Sequence, residues 1–228
     1  MTYNFLVLSL FFLLPGMIIY WFRKDLRKMI HIMALCSIPF AFTERFFYPS
    51  YWEPVFLFNL VKILGFGIED ILFLVGLSAF TSTVYAFCFR LLYVVKKGRT
   101  LFKIVCRFLG VFSLTFIGIG IAVFFNIQMI YGSFGIMFSI GLFIVFLRKD
   151  LILPGVAGGS LSVIVYALLC FCLQWVFPDI FKLTWHTEQF LNIFIAGIPL
   201  EELIYGFAAG WVATVFYPFV FCMGFEPR

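Results

Sequence analysis

Long apolar runs, broken at intervals by short polar or charged clusters, make up most of this chain. A bilayer core takes ~20 helical residues. On that ruler the runs predict seven spans, at about 3–22, 29–47, 67–95, 104–125, 130–147, 154–177 and 191–220. Between the second and third lies "YPSYWEPVFLFNLVKILG", and between the sixth and seventh "PDIFKLTWHTEQ"; both are too short and interrupted to cross, and are expected as interfacial or re-entrant caps. The first run has no basic start, is followed by a basic cluster and precedes further spans, so it is expected as a span rather than a secretory signal. The predicted fold is all-α, a polytopic membrane protein of about seven transmembrane helices.

Composition supports that fold: 64% of the 228 residues are hydrophobic and only 12% are charged, so membrane lipid is the expected surrounding. The net charge of +5 does not imply nucleic acid, because the basic residues gather at span ends. Alternating seven spans puts Arg23, Lys24, Arg27, Lys28, Lys96, Lys97, Arg99, Lys103, Arg148, Lys149 and Arg228 on one side, against Arg45, Lys62 and Lys182 on the other. The basic side is cytoplasmic by the positive-inside rule, giving a multi-pass cell-membrane protein with its N-terminus outside and C-terminus inside. The cysteines form no C-x-x-C pair and lie mostly in apolar runs, so small core residues are expected, not a disulfide framework.

Self-comparison reveals an internal repeat. "WFRKDL" (21–26) returns as "FLRKDL" (146–151), "FYPSYW" (47–52) as "VFPDIFKLTW" (176–185), and "GIEDILF" (67–73) as "PLEELIY" (199–205). The order of landmarks predicts a first three-span repeat over 1–95, a connecting span over 96–128 and a second repeat over 129–228. A shift of four spans leaves both copies pointing the same way, with Glu69 and Asp70 at the same depth as Glu201 and Glu202. Four carboxyls are then expected around one shared cavity.

Two readings of the acid pairs stand side by side. Acids in a first helical turn, after Pro199 in the second copy, are ordinary helix-start chemistry. Carboxyls inside a span are costly, and usually face a bundle interior as functional groups. Neighbouring helical residues lie 100 degrees apart, so one acid of each pair can face a cavity while the other meets a neighbouring span. A desolvated carboxyl beside like charge keeps its proton and acts as a general acid. Aromatic walls suit a cationic intermediate, and the chain has 35 Phe, 10 Tyr and 5 Trp. Phe73, Tyr85, Tyr205, Trp211 and Tyr217 follow the acids at helical spacing and are the candidate substrate-contacting rings, with Trp52 and Trp185 from the caps. Glu44, Arg45 and Glu53 flank the first outer loop, where Arg45 is expected to neutralise an acid. His31 and His186 are isolated, so no metal site is expected.

With P-L-E-E at 199–202, its variant G-I-E-D at 67–70, and duplicated three-span units, the chain resembles the lycopene cyclase domain family. These are flavin-independent carotenoid cyclases, found as heterodimers in some bacteria and as one fused chain in archaea and fungi. The resemblance implies a lycopene cyclase: a lipophilic carotenoid substrate, no cofactor, and acid-initiated cyclisation of ψ-end groups to β-type rings. It makes Glu201 and Glu202 catalytic by match to the family's P-x-E-E motif, and Glu69 and Asp70 by match to the variant copy. Gly67 in place of Pro and Asp70 in place of the second Glu leave open whether the halves are equally active. A carotenoid end-group hydratase and a proton-coupled transporter remain the alternatives. A retinal receptor does not, since residues 191–220 contain no Lys.

Overall fold

The computed structural model describes residues 3–228. Its seven apolar crossings are Asn4–Phe22, Lys24–Phe46, Ile68–Cys88, Leu101–Phe124, Met129–Leu147, Lys149–Val176 and Leu200–Val220, each long enough to span a membrane. The helices are α1 (Asn4–Phe22), α2 (Arg27–Ser37, continued by a 3-10 segment Ile38–Phe46), α3 (Leu60–Leu64), α4 (Ile68–Cys88), α5 (Leu101–Phe124), α6 (Met129–Leu147), α7 (Ile152–Val176), α8 (Ile180–Thr184) and α9 (Leu200–Val220). Leu10, Leu14 and Met17 of α1 and Phe102, Leu109 and Phe116 of α5 point outward, a surface suited to lipid rather than water.

Helices α4 and α9 form the centre, flanked by α1 and α2 on one side and α6 and α7 on the other; α5 lies outermost, with 6% of its span buried. In lipid, close approach of backbones replaces hydrophobic collapse as the source of association. A Cβ on Gly76 of α4 would lie 2.5 Å from the Phe12 backbone of α1, and one on Gly210 of α9 2.2 Å from Ser162 of α7. Any larger residue forces these helices apart. The central pair is tied directly, Thr214 Oγ1 donating to the Thr81 carbonyl at 3.2 Å.

Two expected boundaries are corrected. The third span stops at Cys88 rather than 95, because Leu91–Val95 forms a strand, β1. The seventh begins at Leu200 rather than 191, since Phe194–Ile195 (β2) and Ile198–Pro199 (β3) make a small hairpin turning at Gly197. Strand β1 pairs antiparallel with the C-terminal strand β4 (Met223–Pro227). The run "LLYVV" is apolar enough to extend a span, and a short apolar run does not by itself distinguish helix from strand.

The basic face is fastened by two arginines in like fashion. Arg23 forks onto Asp25 and donates to the carbonyls of Ala86 (3.0 Å) and Leu91 (2.5 Å). Arg148 forks onto Asp150 and donates to the carbonyls of Pro218 (3.5 Å) and Met223 (3.1 Å). Each thus joins one "RKDL" turn to the exit of a central helix.

Candidate active site

The acid pairs open α4 and α9 within their first turns, at the same end of the bundle. The 100-degree step between neighbours separates the members of each pair. Glu69 is fully buried and its Oε1 accepts the Leu57 N–H at 2.5 Å. Glu201 does likewise, its Oε1 accepting the Leu191 N–H at 3.0 Å and the Tyr131 hydroxyl at 3.3 Å. The first acid of each pair therefore holds a cap segment, and Glu201 also meets the neighbouring span α6 through Tyr131. The second acid, Asp70 or Glu202, faces inward.

Asp70 and Glu202 line one chamber of about 70 Å³, together with a third carboxyl, Glu44. Glu202 accepts from Tyr51 (2.8 Å) and Trp185 Nε1 (2.8 Å) on one oxygen and from Tyr166 on the other. Hydrogen bonds to a charged group are each worth about 1.5–3 kcal/mol, so three of them reduce the several kcal/mol that a buried carboxylate costs. Burial, then the charge of Glu202, pushes the Tyr51 hydroxyl well above its ordinary range, and it stays a donor. Asp70 accepts the Gly67 N–H at 2.7 Å and is hydrogen-bonded to Glu44, whose Oε1 accepts from Trp52 Nε1 at 2.7 Å.

The caps close over this chamber as a pair. Trp52 and Trp185 form a backbone bridge, flanked by Glu53 N–H to the Thr184 carbonyl (2.8 Å) and His186 N–H to the Tyr51 carbonyl (2.9 Å). Their ring centroids lie 5.0 Å apart. Arg45 does not neutralise an acid: its guanidinium sits over the rings of Phe42 and Phe46, at 5.0 and 5.7 Å. Among the described residues, Glu44, Asp70 and Glu202 enter no salt bridge.

Beside the chamber lies a larger cavity of about 220 Å³ between α2, α4, α5, α6 and α9, with Phe40, Thr43, Phe47, Leu74 and Tyr205 bordering both. Its other walls are chiefly Met, Ile, Leu, Val and Phe side chains. An acidic chamber thus adjoins a larger apolar cavity.

Of the rings singled out from sequence, Phe73, Tyr205, Trp52 and Trp185 line the chamber. Tyr85, Trp211 and Tyr217 line neither cavity. Tyr85 packs on Phe225 and Tyr217 on Tyr93, near the strand-bearing end of the bundle, because sixteen helical residues carry a side chain ~24 Å along the axis. Trp211 fills the space beside Gly141 between α6 and α9. Glu44, Tyr51 and Tyr166 were not expected here; a tyrosine within an otherwise apolar span was the one available signal for Tyr166. No group of three or more His, Cys, Asp or Glu among the described residues is arranged to hold a metal ion.

The lycopene cyclase family model matches residues 1–88 and 128–220, covering most of the chain and both acid pairs. No curated protein and no solved structure matches it. With seven apolar crossings and a family match that takes in every residue lining the chamber, the chain belongs to the lycopene cyclase family, membrane enzymes of carotenoid cyclisation.

Proposed function

We propose that the enzyme closes the ψ-end groups of lycopene into β-type rings by adding one proton and removing another, as an isomerase that needs no redox cofactor. A carboxyl of the chamber protonates the terminal alkene so that positive charge develops on the tertiary carbon. The neighbouring alkene attacks that carbon, the ring closes, and loss of a ring proton restores a double bond. Protons and electrons balance without an oxidant or reductant.

The observation that carries this reading is an acidic chamber with no cationic partner among the described residues, walled by aromatic rings and adjoining a larger apolar cavity. Ring faces attract a cation by about 0.5–2 kcal/mol each without capturing it. Glu202 suits the base: its three donors favour the anion, and a carbocation is acidic enough to lose a proton even to a weak base. That anion also lowers the energy of the developing cation. The apolar lining of the larger cavity favours a hydrocarbon occupant over a transported ion.

The same reading takes residues 1–95 and 129–228 as two copies of a three-span unit joined by α5. The matched pair of arginine forks and the paired caps support it. By the positive-inside rule this reading also takes the "RKDL" turns as cytoplasmic and the chamber as lying toward the outer leaflet. Expression in a lycopene-accumulating bacterium, followed by pigment analysis, tests the function. Cyclised carotenoid is expected; lycopene left unchanged beside a well-folded chain contradicts it.

A further inference from the structure

Glu44 lies outside both copies of the acid motif, yet it is 7% exposed and lines the chamber with Asp70 and Glu202. Its approach has a local cause. The second span turns from α-helix to a 3-10 helix over Ile38–Phe46, and in a 3-10 helix residues three apart eclipse one another. Ala41, Glu44 and Phe47 therefore stack on one face, and all three line the chamber. Arg45, next along, is turned away onto Phe42 and Phe46.

Two carboxyls in hydrogen-bond contact, buried and without a cation, hold at least one proton between them. The surroundings decide where it rests. Asp70 stands in the first turn of α4 and accepts the Gly67 N–H, so the positive helix end and a backbone donor both favour its anion. Glu44 has only the Trp52 indole N–H, on one oxygen. Its other oxygen is left to carry the proton toward Asp70 and the chamber.

We propose that Glu44 is the proton donor that starts ring closure, with Asp70 as the anion that orients it; this rests on the cyclase reading above. The Glu44 O–H bond breaks as a C–H bond forms at the terminal alkene. The ring C–C bond then forms from the neighbouring alkene pair, and Glu202 takes a ring proton whose C–H electrons become the new double bond. Loss of that proton from Glu202 to water and uptake of one from water by Glu44 reset the site.

The test compares variants in membranes of a lycopene-accumulating bacterium. Glu44→Gln keeps the contacts to Trp52 and Asp70 but carries no transferable proton, and ring formation should fall by ~100-fold or more at equal protein content. Glu44→Asp should restore a measurable part of it, and Glu44→Leu should not. A heavy-water-sensitive infrared band of a buried carboxylic acid should disappear in Glu44→Gln and shift in Asp70→Asn, where its partner changes. Cyclisation at the intact rate in Glu44→Gln or Glu44→Leu overturns the proposal, as does an acid band that stays unshifted in Asp70→Asn. Should the intact chain itself form no rings, it is the cyclase reading that fails; rings in both intact chain and Glu44→Gln remove this inference alone.

Discussion

Residues 1–95 and 129–228 agree at their "RKDL" turns and in how their caps are held, and differ inside the chamber. Arg23 and Arg148 make the same fork and reach equivalent carbonyls, and Glu69 and Glu201 each hold a cap amide. Aligned on those arginines, however, Glu44 falls opposite Leu169, and Tyr166 opposite Ala41. The first half thus meets its inward acid with another carboxyl, and the second meets its own with phenols and an indole. On the proposed mechanism, one arrangement stores a proton and the other stabilises an anion, and this difference is what would let one site give and take protons.

The comparison is broken most severely at Glu202. Glu202→Gln keeps the shape and part of the hydrogen bonding but removes the anion, and cyclisation should fall by ~100-fold or more in pigment assays. Tyr166→Phe takes one of three donors from that anion. A hydrogen bond to a charged group is worth about 1.5–3 kcal/mol, so a loss of roughly 10- to 100-fold is expected, with protein yield unchanged.

Glu69→Gln and Glu201→Gln sharpen the comparison differently. Their carboxyls tie the caps at Leu57 and Leu191, so each change should cost about 1–3 kcal/mol of local stability and speed hydrogen exchange at that amide. Cyclisation should fall less than in Glu202→Gln. Tyr217→Phe and Tyr85→Phe remove hydroxyls of residues that line neither cavity, and the rate should hold within about 0.5 kcal/mol of barrier height, as for changes away from a site.

Much of this arrangement was legible in the chain itself. Span length, the basic clusters and the doubled acid motif follow from hydropathy and charge, which are properties of short segments read alone. The exit strand Leu91–Val95 was not legible, because its helix-like apolarity is reversed by pairing with Met223–Pro227, more than a hundred residues away. Arg45 misled for a related reason. Adjacent opposite charges suggest neutralisation, but the 3-10 turn sends Glu44 into the chamber and Arg45 onto aromatic rings. Tyr85 and Tyr217 shared the helical spacing of true chamber residues while lying too far along the axis, whereas Trp211 turns to α6 beside Gly141 as its neighbours Ala209, Val212 and Ala213 line the larger cavity. Periodicity reports the face of a helix and says nothing of depth.

The central claim is that the chamber's own carboxyls supply the proton that initiates closure. Membranes containing the enzyme, equilibrated in heavy water and given lycopene, test it most directly through the mass of the product. The account predicts one deuterium retained for each ring formed, with no added oxygen. Rings without deuterium, or a product heavier by the elements of water, would contradict it.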